Sequence, residues 1–71
     1  MPKKIWQLKR DLSRAGYHDV PGRGKGSHSV WVHPLTRMVV TLAGQDGDDA
    51  LPYQEKLVRR AIANIPPVEG G

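Results

Sequence analysis

The sequence predicts a small two-layer α+β domain in the order α-β-β-β-α, with two helices on one face of a three-stranded antiparallel sheet. Three observations predict it. Apolar residues recur at helical spacing near each end of the chain. The middle is β-branched and aromatic and is cut by glycine- and proline-rich turns. At 71 residues without a cysteine, the chain has room for one domain and no disulfide or thiolate site to staple it.

The first helix spans residues 3–15. Ile5, Leu8, Leu12 and Ala15 form one narrow apolar stripe. Lys3, Arg10 and Arg14 fall nearly opposite it, as either a solvated face or a track for phosphates. Gly16 stands where a left-handed helix cap calls for glycine. Trp6 lies off the stripe and is a candidate partner contact. Residues 17–20 suit a brief strand, followed by the loop Pro21-Gly22-Arg23-Gly24-Lys25-Gly26-Ser27.

Residues 28–33 form the second strand and 38–42 the return strand, joined by a turn at Pro34-Leu35-Thr36-Arg37. Met38, Val40 and Leu42 share one face. Parity alone does not decide whether Val30 and Val32 or Trp31 face the helices, and Trp31 is carried with Trp6 as a candidate partner contact. After a loop bearing Asp46, Asp48 and Asp49, the second helix spans 52–65, opened by Pro52. Tyr53, Leu57, Val58, Ala61, Ile62 and Ile65 make its broad apolar side, with Lys56, Arg59 and Arg60 on the other. Residues 1–65 form the domain and 66–71 read as a flexible C-terminal tail.

The formal net charge is +4. Eight basic and two acidic side chains give residues 1–40 a balance of +6, while three basic and five acidic ones give residues 41–71 a balance of −2. This favours an anionic partner that meets the first half. No apolar run is long enough to span a bilayer, and Met1-Pro2-Lys3-Lys4 leads into no signal-peptide stretch, so the expectation is a cytoplasmic protein.

The chemistry concentrates in Gly24-Lys25-Gly26-Ser27-His28. Glycines let backbone amides approach an anion, Arg23 and Lys25 add charge, and His28 stands where the loop becomes a strand. That combination suits acid–base work on a phosphodiester. It is not a P-loop, because the spacing G-x-x-x-x-G-K-[ST] is absent. Of the other imidazoles, His33 beside Pro34 reads as structural, and His18 lies on the short first strand. The aspartates of the second loop fail the spacing of a calcium loop and more simply favour a helix N-terminus, so no metal or other cofactor is expected.

Several segments carry a resemblance. The lysine-rich helix ending Ala15-Gly16-Tyr17, the run Lys25-Gly26-Ser27-His28-Ser29-Val30-Trp31-Val32-His33-Pro34 and the hairpin and helix that follow resemble the HicA family of small toxins over roughly residues 2–65. The resemblance implies a double-stranded-RNA-binding-domain-like fold and a metal-independent mRNA endoribonuclease of a type II toxin–antitoxin pair. It further implies His28 as the catalytic residue and a HicB-like antitoxin as the protein partner. Arg23, Lys25, Gly26 and Ser27, with Lys3, Arg10 and Arg14, are then the expected RNA contacts. A non-catalytic RNA-binding module of the same fold, and a small domain docking on an acidic protein, are the competing expectations.

Overall fold

The computed structural model describes residues 2–22 and 26–65. Its elements are α1 (Ile5–Arg14), β1 (His18–Asp19), β2 (Ser29–Val32), β3 (Val39–Leu42) and α2 (Pro52–Ala63). The strands form one antiparallel sheet in the order β1-β2-β3. The small α+β architecture expected from the sequence is therefore present. The expected tail, 66–71, lies outside the described residues.

α1 starts two residues later than its apolar pattern suggests. Lys4 is held extended in a bridge to Asp49, and the Lys3 carbonyl accepts the Ala50 amide at 2.7 Å. The first amides of a helix lack intrahelical partners. Here Ile5 N–H donates to the Asp48 carbonyl at 2.9 Å and Trp6 N–H to the Asp46 carbonyl at 3.1 Å. The Gln7 side chain accepts the Lys4 amide at 2.7 Å. The acidic loop thus caps α1 with its backbone.

The other end of α1 closes as Gly16 suggested. Gly16 has φ +101°. Its amide donates to Ser13 and the Tyr17 amide donates to Leu12, the paired bonds of a Schellman cap.

The register Trp31↔Val40 and Ser29↔Leu42 assigns the faces. Trp31, Val40 and Leu42 are buried in one cluster with Ile5, Leu8 and Leu12 of α1 and Val58 and Ala61 of α2. Trp31, rather than the valines, therefore faces the helices. On the opposite face, Val39 and Thr41 are exposed and Val30 and Val32 half-buried.

The apolar side expected for α2 is corrected. Tyr53 and Leu57 are exposed, and Gln54 is buried in line with Val58 and Ala61. The reason is the glutamine's amide. Its oxygen accepts the Leu51 amide at 2.8 Å and its nitrogen donates to the Ala43 carbonyl at 2.8 Å, so each end of the amide has a partner inside. These bonds pin the start of α2 to the end of β3. At the opposite end the Tyr17 hydroxyl donates to the Ala61 carbonyl at 3.0 Å. α1 and α2 therefore run in the same direction, and both begin at the end of the sheet where β3 stops and β2 starts.

Candidate functional site

His28 sits immediately before β2 and is exposed. Two residues earlier Gly26 has φ +61°, a left-handed conformation that glycine adopts without steric cost. A Cβ there would meet none of the described residues within 4 Å, so among these the backbone two positions before His28 is open. Ser27 is likewise exposed. Arg23 and Lys25, with Gly24, lie outside the described residues.

The sheet end that carries His28 also gathers the starts of both helices. Ser29 pairs with Leu42; Ala43 follows and accepts from Gln54 of α2. A Cβ on the next residue, Gly44, would touch Ile5 Cγ1 of α1 at 3.3 Å. Helix N-termini carry partial positive charge. They share this end with Asp46, Asp48 and Asp49.

The basic face expected on α1 is present but compensated. Lys3 Nζ lies 2.9 Å from Asp11, Lys4 Nζ pairs with Asp49, and Lys9 Nζ lies 2.7 Å from Asp46. Arg10 reaches Asp11 at 3.4 Å, and its guanidinium carbon stands 5.4 Å from the centre of the Trp6 ring. The hydrogen bond from Lys3 holds the Asp11 carboxyl below its usual range; burial opposes it, and the charges of Lys3 and Arg10 add to the lowering. Arg14 is exposed at the end of α1 away from His28, so Lys3, Arg10 and Arg14 recede progressively from the histidine.

The two tryptophans separate. Trp6 is 46% exposed on the α1 surface, as a partner contact requires. Trp31 is only 8% exposed and belongs to the core, with its indole N–H bonded to Ser29 Oγ at 3.1 Å. Its expected role as a partner contact is corrected: the β2–β3 register turns it under the helices.

The remaining histidines also diverge. His18 is exposed on β1. His33 is buried, and its Nδ1 accepts the Leu35 amide at 3.1 Å and the Thr36 amide at 3.4 Å. That arrangement assigns the ring proton to Nε2, which donates to the Ala15 carbonyl at 3.2 Å. The ring also meets Tyr17 edge-on, 5.0 Å between centres. His33 is thus a structural clamp joining the hairpin turn to the end of α1.

Sequence patterning assigns Lys56, Arg59 and Arg60 only to the polar side of α2. With Ala63 they line one open hollow. The available signal is their density, three cations within five residues with Glu55 the sole carboxylate in that helix. Among the described residues, no three His, Asp or Glu side chains converge as a metal site would require, and no helix is long and apolar enough to cross a membrane.

No protein-family model, curated protein or solved structure matches the chain.

Proposed function

We propose that this chain is an endoribonuclease of the HicA-like toxin class, built on a double-stranded-RNA-binding-domain-like fold, with His28 as its catalytic residue. The observation that carries the reading is the placement of His28. It is an exposed imidazole at the edge of a rigid strand, beside an open glycine backbone and at the end of the sheet where both helices begin. An imidazole can accept or donate a proton near neutral pH, which is what phosphodiester cleavage by a neighbouring hydroxyl needs.

In this mechanism the substrate's own 2′-oxygen attacks the adjacent phosphorus. The P–O5′ bond breaks, giving a 2′,3′-cyclic phosphate and a 5′-hydroxyl. His28 either takes the 2′-hydroxyl proton or supplies one to the departing 5′-oxygen; water handles the other transfer. Arg23, Lys25 and the amides around Gly26 and Ser27 stabilise the added negative charge on the phosphoryl oxygens. The need for a 2′-hydroxyl selects RNA over DNA. No metal or other cofactor takes part. Trp6, stacked by Arg10, offers a surface for a HicB-like antitoxin.

The test is expression of the wild type beside His28→Ala. The expected outcome is growth arrest and RNA breakdown with the wild type and neither with the variant. Purified protein should leave 2′,3′-cyclic phosphate ends and spare an oligonucleotide with 2′-deoxy sugars throughout. A variant as toxic as the wild type overturns the assignment. A non-catalytic RNA-binding module is the second reading, favoured by the exposed cluster of Lys56, Arg59 and Arg60 on α2. It predicts RNA binding without cleavage by the wild type.

A further inference from the structure

We infer that the outward face of α2, formed by Lys56 and Arg60 with Arg59 at its flank, is the main surface that grips the RNA backbone. This rests on the RNA-cleavage reading of His28 and adds to it a binding surface that lies in the acidic half of the chain.

The first observation is how charge is distributed in space. In sequence the positive charge belongs to residues 1–40. In the fold, Lys3, Lys4, Lys9 and Arg10 of that half lie against Asp11, Asp49 and Asp46, because the acidic loop folds back on α1 to cap it. Much of their field is closed within the molecule. Lys56, Arg59 and Arg60 form no ion pair with a described carboxylate and line a common hollow. Glu55 precedes Arg59 by one turn, and both border the groove between the helices with Lys3 and Asp11. Arg59 is therefore the cation of the three that shares this groove with the described carboxylates Glu55 and Asp11, and Lys56 and Arg60 lie outside it.

The second observation is what accompanies the cations. Side chains three and four residues apart share a helix face. Tyr53, Lys56, Leu57 and Arg60 have that spacing and are all exposed, outside the buried line of Gln54, Val58 and Ala61. Tyr53 is 60% exposed. Like charges one turn apart repel, so the fold gains nothing from placing Lys56 and Arg60 together. A polyanion does gain, and an exposed aromatic beside a cationic track is the combination that holds single-stranded nucleic acid by phosphate contact and base stacking.

The third observation is direction. α2 starts at the His28 end of the sheet, pinned by Gln54 to Ala43, and runs toward Tyr17 at the far end. Tyr53 and Lys56 lie nearest the His28 end, and Arg60 is about 6 Å further along the axis at 1.5 Å per residue. A strand laid on α2 therefore runs toward the end of the sheet that carries His28.

The experiment uses the full chain carrying His28→Ala, which binds without cutting, and a labelled single-stranded RNA followed by fluorescence anisotropy across a salt series. Adding Lys56→Ala, Arg59→Ala and Arg60→Ala should lower affinity at least tenfold. It should also flatten the slope of log K against log salt by about 2, the expectation for three lost single-strand phosphate contacts. Lys4→Ala with Lys9→Ala should change affinity less than threefold. Alanine favours helix at positions 9, 56, 59 and 60, and circular dichroism checks that every variant keeps the fold. With His28 intact, the α2 triple variant should raise KM and leave kcat in place. Unchanged affinity and slope in the α2 variant overturn the inference, as does an equal loss from the α1 pair. Binding of polyglutamate as tight as binding of RNA overturns it in favour of an acidic protein partner. Failure of the cleavage reading is separately visible, as wild-type protein that cuts no RNA or a His28→Ala variant that still does.

Discussion

Tyr17, His33 and Gly16 form a cluster in which each residue explains the next. Gly16 must be glycine twice over, since its φ is left-handed and a Cβ would stand 3.0 Å from His33 Nε2. That closeness lets the imidazole reach the Ala15 carbonyl, and its edge meets Tyr17, whose hydroxyl holds the Ala61 carbonyl of α2. Tyr17→Phe should cost about 1–2 kcal/mol, because a buried carbonyl loses its donor. Thermal melting at neutral pH should fall by roughly 5–10 °C in a domain of this size. Burial pushes the Tyr17 phenol above its ordinary value of 10.0, with a smaller opposite effect from Thr36. A group whose folded-state pKa is raised contributes stability that is complete below the unfolded pKa and fades as pH rises through the folded one. Melting curves between neutral pH and pH above about 10 should therefore drop more for the wild type than for Tyr17→Phe; equal drops would sink this account. At this scale the sequence was partly legible. Gly16 announced a cap and His33 beside a proline announced structure, but the partners of His33 Nδ1 are turn amides whose position only the folded hairpin defines.

Elements were legible where a pattern of apolar residues had one solution. The α1 stripe of Ile5, Leu8 and Leu12 is buried as its spacing requires. The apolar pattern misses one flank of α2 because a glutamine with two matched hydrogen bonds is as acceptable inside as a leucine, and no periodicity of apolar residues reveals that. Trp31 could not be placed from parity, since both faces of β2 offer large apolar side chains and only the pairing with Val40 decides between them. Helix termination gives a sharp test. Gly16→Ala and Gly22→Ala both place a side chain at positive φ, but a Cβ at Gly22 meets nothing within 4 Å. Gly22→Ala should cost about 1 kcal/mol, from backbone strain alone. Gly16→Ala should cost about 2–3 kcal/mol, because strain is joined by the displacement of His33 from its carbonyl partner. Chemical denaturation of the two variants measures the difference; equal losses would show that the His33 contact is unimportant.

For the whole molecule, the margin is thin. A chain of this length has a stability of about 4–10 kcal/mol at 0.05–0.15 kcal/mol per residue. Truncating a buried tryptophan removes about 3–5 kcal/mol. Trp31→Ala should therefore leave a protein that melts at least about 15 °C lower or is largely unfolded at 37 °C, whereas Trp6→Ala should shift melting by no more than a few degrees. A Trp31→Ala protein as stable as the wild type would return that residue to the surface. Net charge was legible as a number and misleading as a map. The half-chain totals describe the sequence faithfully, yet the loop bearing Asp46 and Asp49 crosses over to the lysines of the other half. That same loop sets a timetable for synthesis. The amides of Ile5 and Trp6 find their carbonyls on Asp48 and Asp46, roughly forty residues downstream. A growing chain makes α1 before the loop that caps it and cannot finish the helix's beginning until roughly forty further residues have been added. A ribosome that stalls before Asp46 leaves a fragment in which the start of α1 is open where the folded protein has its cap.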